Sequence, residues 1–282
     1  MRYPECVGHP AESFATVETL TRDLRLLGVQ PGMTLIVHAS LSAMGFVCGG
    51  EVAVVLALEE VLGPRGTLAM PTHTELIDPK HWSKPGVPEA WWPKIRATMV
   101  PFDRGMTPAR RMGAIPECFR TQRSALRSGH PFTSWAARGP EARGIVAAHG
   151  LAMSQGEASP LARLYERDAR VLLLGVGFLV NTSFHLAEYR CQWAKDNRCL
   201  RGAPVRVKGG VRYVEYEDIT WHDEDFPAIG QAFARKRGAV RVGRIGHAEA
   251  RLFGQRAAVD FAVRWMNEHR GPSARAWGDA HL

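Results

Sequence analysis

The apolar positions in the first third of the chain alternate between the spacing of a helix and that of a buried strand. Residues 33–40 and 67–72 are short apolar runs typical of central strands, and residues 51–63 between them have a helical pattern. Because parallel strands need a crossover connection, these segments predict a strand–helix–strand unit in a parallel sheet. A helix over residues 14–28, ended by Gly28, precedes them. Its apolar side chains at helical spacing are Phe14, Val17, Leu20, Leu24 and Leu27.

The later part of the chain changes its pattern. Residues 170–176, RVLLLGV, predict another buried strand, whereas two strand patterns flanking Gly209-Gly210 predict a hairpin. The fold class is therefore α/β, with a central, mostly parallel sheet and a smaller antiparallel C-terminal part. The other predicted elements are a helix in 112–120, a strand and a helix within 127–150, helices over 159–167, 226–238 and 253–268, and a strand over 239–246.

Residues 73–112 form a segment rich in Trp and Pro, called the Trp/Pro segment below, that interrupts this regular pattern. Long irregular insertions in compact domains tend to be lids or binding loops, so a lid is predicted here. We expect a single domain over residues 1–270 that includes this segment and an antiparallel subregion over 204–250. Residues 271–282 are expected to be a flexible tail.

The composition is that of an ordinary globular protein, with 45% hydrophobic and 23% charged residues among 282. No apolar stretch approaches the roughly eighteen residues that a membrane-spanning helix needs. The N-terminal residues lack the pattern of a signal peptide. The five cysteines include no CxxC pair, which favours free thiols and argues against a zinc site. We expect a cytoplasmic protein without a bound metal.

The net charge of +8 raises the question of an anionic partner. Lysines and arginines are scattered along the chain, and no dense basic run or RNA-binding signature occurs. We therefore expect no nucleic-acid and no membrane partner. A phosphate-bearing small molecule suits the positive field equally well.

The stretch NTSFHLAEYR, residues 181–190, follows the strand RVLLLGV and contains the main candidates for catalysis. One of its first three residues is expected to cap a helix, on which His185 and Glu188 share a face. The carboxyl end of a parallel strand is where open α/β sheets place ligands. A histidine oriented by a carboxylate can act as a general base. A buried structural histidine beside a solvated glutamate is the alternative.

Two other regions contain candidate binding residues. The loop after the first strand enters a helix at Gly49-Gly50, where free backbone N–H groups suit a phosphate, although a plain tight turn is equally compatible. Six of the eleven residues from 215 to 225 are acidic in an otherwise basic chain. This cluster predicts a lip that holds a polycation, or else a solvated loop.

Six stretches together resemble the aminoglycoside 3-N-acetyltransferase family and occur in the family's order over about residues 17–200. The Trp/Pro segment also resembles the branch of chromosomal and environmental members. The stretches are LGVQPGMTLIVHASLSAMG followed by Gly49-Gly50, LGPRGTLAMPTHT, MGAIPECFR, RSGHPFTSWAARGP, GEASPLARL and VLLLGVGFLVNTSFHLAEYR.

The resemblance implies an α/β/α sandwich distinct from the common GNAT acetyltransferases. It also implies transfer of an acetyl group from acetyl-CoA to the 3-amino group of the 2-deoxystreptamine ring, by direct attack in a ternary complex. His185 would be the general base, and Glu188 would orient it or hold substrate. Residues implied to contact the cofactor are His38, Ser40, Leu41, Ser42, Thr72, Ser128, Asn181 and Thr182. Residues expected to contact the acceptor are Glu157, Asp223, Glu224 and Asp225.

The partner expected from this resemblance is an aminoglycoside or another polyamine, and a homodimer is conceivable for the family fold. Two other functions are considered. One is an acyl-CoA-dependent N-acyltransferase of the same fold with a different amine acceptor. The other is a non-catalytic protein that binds nucleotides or nucleic acid, to which the basic charge gives some support.

Overall fold

The computed structural model describes residues 14–74, 76–82 and 86–270. The described part forms a seven-stranded sheet, a separate two-stranded sheet and helices on both faces of the larger sheet. The strands are β1 (Thr34–Ala39), β2 (Thr67–Pro71), β3 (Leu126–Arg127), β4 (Trp135–Arg138), β5 (Arg170–Leu174), β6 (Arg198–Val207), β7 (Gly210–Ile219), β8 (Val240–Ile245) and β9 (Ala248–Gly254). The helices are α1 (Val17–Leu27), α2 (Gly50–Leu62), α3 (Trp92–Thr98), α4 (Ala114–Arg120), α5 (Ala142–Val146), α6 (Pro160–Glu166), α7 (Ser183–Arg190), α8 (Trp193–Asp196), α9 (Phe226–Ala234) and α10 (Gln255–His269).

The large sheet has the strand order β3-β4-β2-β1-β5-β9-β8. Its centre, β2-β1-β5, is parallel, and antiparallel strands extend it on both sides. The α/β/α class and the predicted crossover unit are thereby confirmed. The hairpin β6–β7 is the separate antiparallel sheet, and it begins at Arg198 rather than at residue 204.

Two hydrophobic cores hold the sheet from its two faces. In β1, Leu35 and Val37 pack against α1, α2 and α4, whereas Ile36 packs against the layer that contains α6, α7, α9 and α10. All three side chains are fully buried. Since burying an aliphatic side chain of this size contributes about 1.5–3 kcal/mol, the alternation anchors β1 firmly from both sides.

The predicted first helix begins later than its apolar pattern suggested. Thr16 caps α1, its side-chain oxygen accepting the backbone N–H of Thr19 at 3.2 Å. Phe14 therefore precedes the helix and stays 58% exposed, so its predicted place on the apolar face was wrong. Gly28 ends α1 as predicted, with a φ of 105° that favours glycine.

Strand β9 was missed in the sequence, and the last helix starts at Gln255 rather than at residue 253. The strand contains Glu249 and Arg251, which weaken its apolar pattern. Its pairing with β5, in which Leu172 lies opposite Leu252, joins residues distant in sequence. Local periodicity does not report such a pairing.

The Trp/Pro segment contains two short 3-10 turns and α3, and it docks against the hairpin. Asp78, fully buried, accepts two hydrogen bonds from Arg96, at 2.8 and 2.9 Å, and one from the Tyr213 hydroxyl. A lid function remains a prediction, and so does the division into one domain. The predicted tail over 271–282 lies outside the described residues.

Candidate active site

Three histidines converge at the carboxyl edge of the parallel strands. His38 lies near the end of β1, His73 follows β2, and His185 lies on α7, which follows β5. A charge on His185 lowers the pKa of both His38 and His73, second only to the effect of their burial. The rings of His73 and His185 both lie against Trp221, with centroids 6.4 and 4.5 Å away, and His38 lies on β1 at the same sheet edge, where α/β folds bind ligands.

The path from β5 to α7 depends on a glycine. Gly175 has a φ of 68°, and a Cβ there would lie 2.6 Å from Cβ of Ala43 in the loop after β1. Glycine allows both the left-handed backbone and the close approach. A 3-10 turn over Phe178–Val180 then leads into α7.

His185 and Glu188 form a buried pair on α7. Nδ1 of His185 lies 2.6 Å from Oε2 of Glu188, the contact that their three-residue spacing predicted. Glu188 is fully buried and His185 is 8% exposed. Because an ionised carboxylate only accepts hydrogen bonds, Nδ1 carries a proton in this contact, and in the neutral imidazole the lone pair then lies on the other ring nitrogen, Nε2.

The second oxygen of Glu188 is held by groups from elsewhere in the chain. Oε1 accepts a hydrogen bond from Nη1 of Arg270 at 2.7 Å and one from the backbone N–H of His222 at 2.9 Å. Arg270 also forms a bidentate pair with Asp225, at 2.6 and 2.8 Å. A buried charge is tolerated when it is paired and hydrogen-bonded, and Glu188 meets both conditions.

Aromatic rings enclose the imidazole of His185. The Trp221 ring lies 4.5 Å from it, centroid to centroid, and Phe226 contacts it edge-on at 5.0 Å. The indole N–H of Trp221 donates to the hydroxyl of Tyr189 at 3.0 Å, which fixes the orientation of the indole. These rings limit the entry of water around the pair of His185 and Glu188, called the dyad below.

The other two histidines of the site are neutral at ordinary pH. Burial, followed by the charge of His185, lowers the pKa of His38 to about 3. Burial likewise holds the pKa of His73 well below its usual range. Nε2 of His38 is buried and has no hydrogen-bond partner among the described residues, whereas Nε2 of His73 lies 3.1 Å from the Gln155 amide nitrogen.

Several polar atoms at the start of α7 are buried without a partner. Both amide atoms of Asn181 and the hydroxyl of Ser183 have none within the described ranges, and both residues are fully buried. Burying an amide without hydrogen bonds is costly, so these groups suit a ligand that satisfies them. The predicted side-chain cap is absent here, because Thr182 occupies the N-cap position in helical conformation and its side chain makes no capping bond.

The loop after β1 meets the end of β5. The backbone N–H of Ser40 bonds to the carbonyl of Leu174 at 2.9 Å, and the hydroxyls of Ser40 and Ser42 lie 3.0 Å apart. Ser42 is exposed, and Leu41 is half-buried. The loop ends at Gly49-Gly50, which begins α2 without a side-chain cap. Ser40, Leu41 and Ser42, which were predicted to contact the cofactor, thus lie near the sheet edge that carries His38.

Thr72 and Ser128 are bound into the interior. Thr72 accepts hydrogen bonds from Arg127, at 3.2 Å on its hydroxyl and 2.7 Å on its carbonyl. The Ser128 hydroxyl lies 3.0 Å from Nδ1 of His149 and accepts the backbone N–H of Trp135 at 2.9 Å. Both hydroxyls are fully buried, and their contact with a cofactor stays a prediction.

The acidic stretch does not form one continuous lip. Glu215 and Glu217 project from β7 into solvent, whereas Asp218 on the same strand is fully buried. Of the four residues expected to contact the acceptor, Asp223 and Glu224 are exposed. The other two carboxylates pair with arginines, Asp225 with Arg270 and Glu157 with Arg190 at 2.7 and 2.9 Å.

Sequence reasoning missed Arg270, Trp221 and Arg127 as parts of this site. Trp221 lies inside the acidic stretch, where a large apolar residue among carboxylates was the available signal. Arg270 lies 82 residues from Glu188 in sequence, and nothing in its local pattern marks it.

Three further expectations concern a metal site, the cysteines and a membrane-spanning helix. Within the described ranges, no group of three or more His, Cys, Asp or Glu side chains is arranged to hold a metal ion. Cys48, Cys118, Cys191 and Cys199 are free thiols, as expected, and Cys6 lies outside the described residues. In the same part of the chain, no helix is both long and apolar enough to cross a bilayer.

Comparison with known proteins places the site in context. The model of the family described as aminoglycoside 3-N-acetyltransferase matches residues 36–267. A Bacillus subtilis (strain 168) protein, the SPbeta prophage-derived aminoglycoside N(3')-acetyltransferase-like protein YokD, is 44% identical over 253 residues, which cover 89% of this chain and 92% of that protein. Aminoglycoside N(3)-acetyltransferase VII of Streptomyces paromomycinus is 34% identical, with 89% and 91% covered.

Solved structures agree with these matches. The crystal structure of the YokD protein superposes with a TM-score of 0.89 at 43% identity, covering 92% of this chain and 95% of that one. A structure of AAC-IIIb in binary complex with CoASH has a TM-score of 0.81 at 31% identity, with 91% and 97% covered. The YokD match agrees with the predicted branch of chromosomal relatives.

Proposed function

The chain belongs to the aminoglycoside 3-N-acetyltransferase family, and we propose that it moves the acetyl group of acetyl-CoA to the 3-amino group of the 2-deoxystreptamine ring of an aminoglycoside. As a family member it is an acetyltransferase with acetyl-CoA as co-substrate. This membership makes the chain an enzyme, and it therefore argues against the alternative function of a non-catalytic protein that binds nucleotides or nucleic acid. The observation that carries the proposed mechanism is the buried contact between His185 and Glu188.

His185 acts as the general base. Glu188 accepts a hydrogen bond from the Nδ1–H group and so leaves Nε2 as the basic nitrogen of the neutral ring. An acceptor amine is protonated near neutral pH and cannot attack a thioester until a base removes its proton, a step suited to an imidazole. Glu188, held by Arg270, orients the ring and stabilises the imidazolium that forms.

The residues at the start of α7 fit the co-substrate. Acetyl-CoA supplies the thioester, whose carbonyl oxygen gains negative charge during transfer and needs hydrogen-bond donors. The Asn181 amide and the Ser183 hydroxyl are buried donors without a partner among the described residues; Ser183 lies in the first turn of α7 with His185, and Asn181 lies just before the helix. The loop over Ser40–Ser42 holds the phosphate-bearing part of the cofactor. The first turn of α2 faces the same loop; the N–H of Gly50 bonds to the carbonyl of Val47 at 2.9 Å, so the N–H groups that follow it in this turn are the ones offered to the phosphates.

The exposed carboxylates of Asp223 and Glu224 attract the cationic acceptor. Both lie on the connection between β7 and α9, next to Trp221 and His222 of the dyad's surroundings. Asp225 supports the site through Arg270, which also holds Glu188, whereas Glu157 pairs with Arg190 and keeps 66% of its side chain exposed to a cationic acceptor.

The test is a thiol-release assay with acetyl-CoA and a panel of aminoglycosides, followed by NMR to locate the new acetyl group. We expect thiol release that depends on the aminoglycoside and an acetyl group on the 3-amino nitrogen. Acetylation of a non-aminoglycoside amine only would favour the alternative acyltransferase function.

The His185→Ala variant assigns the base. We expect turnover to fall by at least about 10²-fold, the usual contribution of a positioned acid or base, with acetyl-CoA binding unchanged in calorimetry. His269→Ala, which removes an exposed histidine from α10, is the matched control. Full activity of folded His185→Ala would remove His185 from this role.

A further inference from the structure

We propose that His73 is a further acceptor-binding residue, which donates a hydrogen bond from Nδ1 to a hydroxyl oxygen of the amino sugar. Gln155 is the positioning residue that keeps the ring proton on Nδ1. This inference rests on the proposed function, and it names a group of the acceptor that the same site recognises.

The hydrogen bonds of Gln155 determine which of its amide atoms faces His73. An indole N–H group can only donate, so the Gln155 atom that lies 3.2 Å from Nε1 of Trp135 is the amide oxygen. The amide nitrogen therefore points to Nε2 of His73, at 3.1 Å. Gln155 and Trp135 are both fully buried, so water does not compete for either contact.

The direction of this bond sets the tautomer of His73. An amide nitrogen only donates, so Nε2 of His73 accepts and carries no proton. Burial, and after it the charge of His185, holds the pKa of His73 well below its usual range, so the ring is neutral. A neutral imidazole has one proton, which in His73 then lies on Nδ1.

Nδ1 of His73 is a donor without a partner. It makes no hydrogen bond within the described ranges and, unlike Nε2 of His38, it is not completely enclosed. The rings of Phe132 and Trp221 each lie 6.4 Å from the His73 ring, and Trp221 in turn lies against His185. The unpaired donor thus lies near the proposed base, among aromatic rings whose low dielectric strengthens a hydrogen bond.

The surroundings of His73 belong to the acceptor side of the site. Trp221, which lies against His73, stands two residues before Asp223, and the carboxylates of Asp223 and Glu224 are exposed. The loop proposed to hold the cofactor lies on the other side, where the backbone N–H of Ser40 bonds to the end of β5. In the sheet, β1 separates β5 from β2, the strand that leads to His73.

A neutral donor suits an acceptor that carries both ammonium and hydroxyl groups. Carboxylates attract the ammonium groups, whereas a hydroxyl oxygen needs an N–H or O–H donor. A protonated histidine would also donate, but its charge would repel the cationic acceptor. Because Gln155 holds His73 in the neutral Nδ1–H form, the site gains a donor for the hydroxyl without adding positive charge.

NMR of the histidine rings tests the tautomer. In isotope-labelled enzyme the ring nitrogens distinguish the two tautomers, and the signal that is lost in His73→Phe or in His73→Asn belongs to His73. We expect a proton on Nδ1 in the wild-type protein. In Gln155→Glu, whose carboxylate can only accept, we expect a proton on Nε2.

Titrations in the same experiment identify the partner of this donor. The Nδ1–H signal of His73 should move when kanamycin is added and should stay in place when CoA is added alone. A wild-type ring without a proton on Nδ1 overturns the proposal. A shift that CoA alone produces also overturns it, because the donor would then belong to the cofactor.

Calorimetry with kanamycin measures the contribution of the donor. The protein is saturated with CoA, which has no acetyl group, so the acceptor binds without being acetylated. We expect His73→Phe to bind kanamycin about three- to tenfold more weakly, the effect of one hydrogen bond. His73→Asn, whose amide nitrogen can take the place of Nδ1, should keep most of the affinity.

His269→Phe, which replaces an exposed histidine of α10, is the matched control and should bind kanamycin like the wild type. Wild-type affinity in a folded His73→Phe protein contradicts the proposal, as does equal weakening in His73→Asn or a wild-type protein that does not bind kanamycin. Neither measurement depends on turnover. Absence of thiol release in the wild-type enzyme would therefore defeat the proposed function and leave these binding results intact.

Discussion

Arg270, at the end of α10, reaches Glu188 on α7, with Nη1 2.7 Å from Oε1. Both side chains are almost completely buried, with exposed fractions of 2% and 0%. The family model ends at residue 267, so the cation that holds Glu188 lies beyond the matched region. In the proposed mechanism Arg270 is a positioning residue, which acts on His185 through Glu188.

Replacing Arg270 should affect both stability and catalysis. Removing one partner of a buried ion pair costs about 3–5 kcal/mol, so Arg270→Gln should unfold at a clearly lower denaturant concentration. In the folded protein, kcat should fall while KM for acetyl-CoA stays near its wild-type value. Arg270→Lys, which keeps the positive charge but lacks the guanidinium fork that bonds to Glu188 and Asp225 together, should retain part of kcat. A stability loss with normal kcat would show that Arg270 is only structural.

Replacing Asn181 should lower activity without lowering stability, unlike the replacement of Arg270. Because neither amide atom has a partner, Asn181→Ala removes a buried polar group at no cost in hydrogen bonds. The free energy of unfolding of the apo enzyme should stay the same or rise. Turnover should fall by about 10²-fold or more if the amide stabilises the thioester oxygen. Chemical denaturation and steady-state kinetics measure the two effects, and unchanged kcat would refute the role.

The exposed and the paired carboxylates of the 223–225 stretch should behave differently. Neutralising Asp223 and Glu224 together should change stability by less than about 0.5 kcal/mol and raise KM for a cationic acceptor about two- to fivefold. Asp225→Asn should instead destabilise the protein, since it breaks the bidentate bond with Arg270. An unchanged KM in the double variant would show that Asp223 and Glu224 belong to a solvated loop and do not attract the acceptor.

The buried histidines predict how stability depends on pH. Burial lowers the pKa of His38 and of His149 to about 3 and that of His130 to about 4, against 6.5 for the free side chain. Between about pH 6.5 and pH 4 these histidines therefore bind protons in the unfolded chain but stay neutral in the folded protein. The free energy of unfolding should fall with decreasing pH in this window, by about 1.4 kcal/mol per pH unit for each histidine.

A second acid-sensitive group should act only below this window. Burial opposes ionisation of Asp78, but hydrogen bonds from Arg96 and Tyr213 outweigh it and hold its pKa at about 2. Its stabilising contribution is complete above about pH 4 and is lost as the pH falls toward 2. Denaturation curves at several pH values should show the histidine-dependent loss first, and His130→Asn should reduce its slope. A flat stability profile between pH 6.5 and 4 would contradict the assignment.

The parts of the site that the sequence predicted are those set by local spacing. The interval between His185 and Glu188 places both on one helical face, and the structure brings them into contact. The strand pattern before His38 and the position of α7 after β5 likewise predicted the edge where they meet. The predictions that were wrong concern side chains whose partners lie far away in the sequence.

The partners of these residues could not be predicted in the same way. Asp218 and Asp225 belong to the stretch that was expected to hold a polycation or to be a solvated loop, yet one is held by Tyr189 and Arg201 and the other by Arg270. Whether a carboxylate faces solvent or an arginine is decided by packing between elements far apart in the chain. The acidic stretch itself does not contain that information.

Asp78 joins the Trp/Pro segment to the hairpin through Tyr213, and the hairpin ends beside Trp221 of the site. Segment and hairpin therefore behave as a single exchangeable module. A chimera that imports the hairpin of a relative must import the matching segment with it, or it will leave a buried carboxylate without its hydroxyl. In the divergence of such enzymes, substitutions on the hairpin are thus constrained by residues more than a hundred positions earlier in the chain.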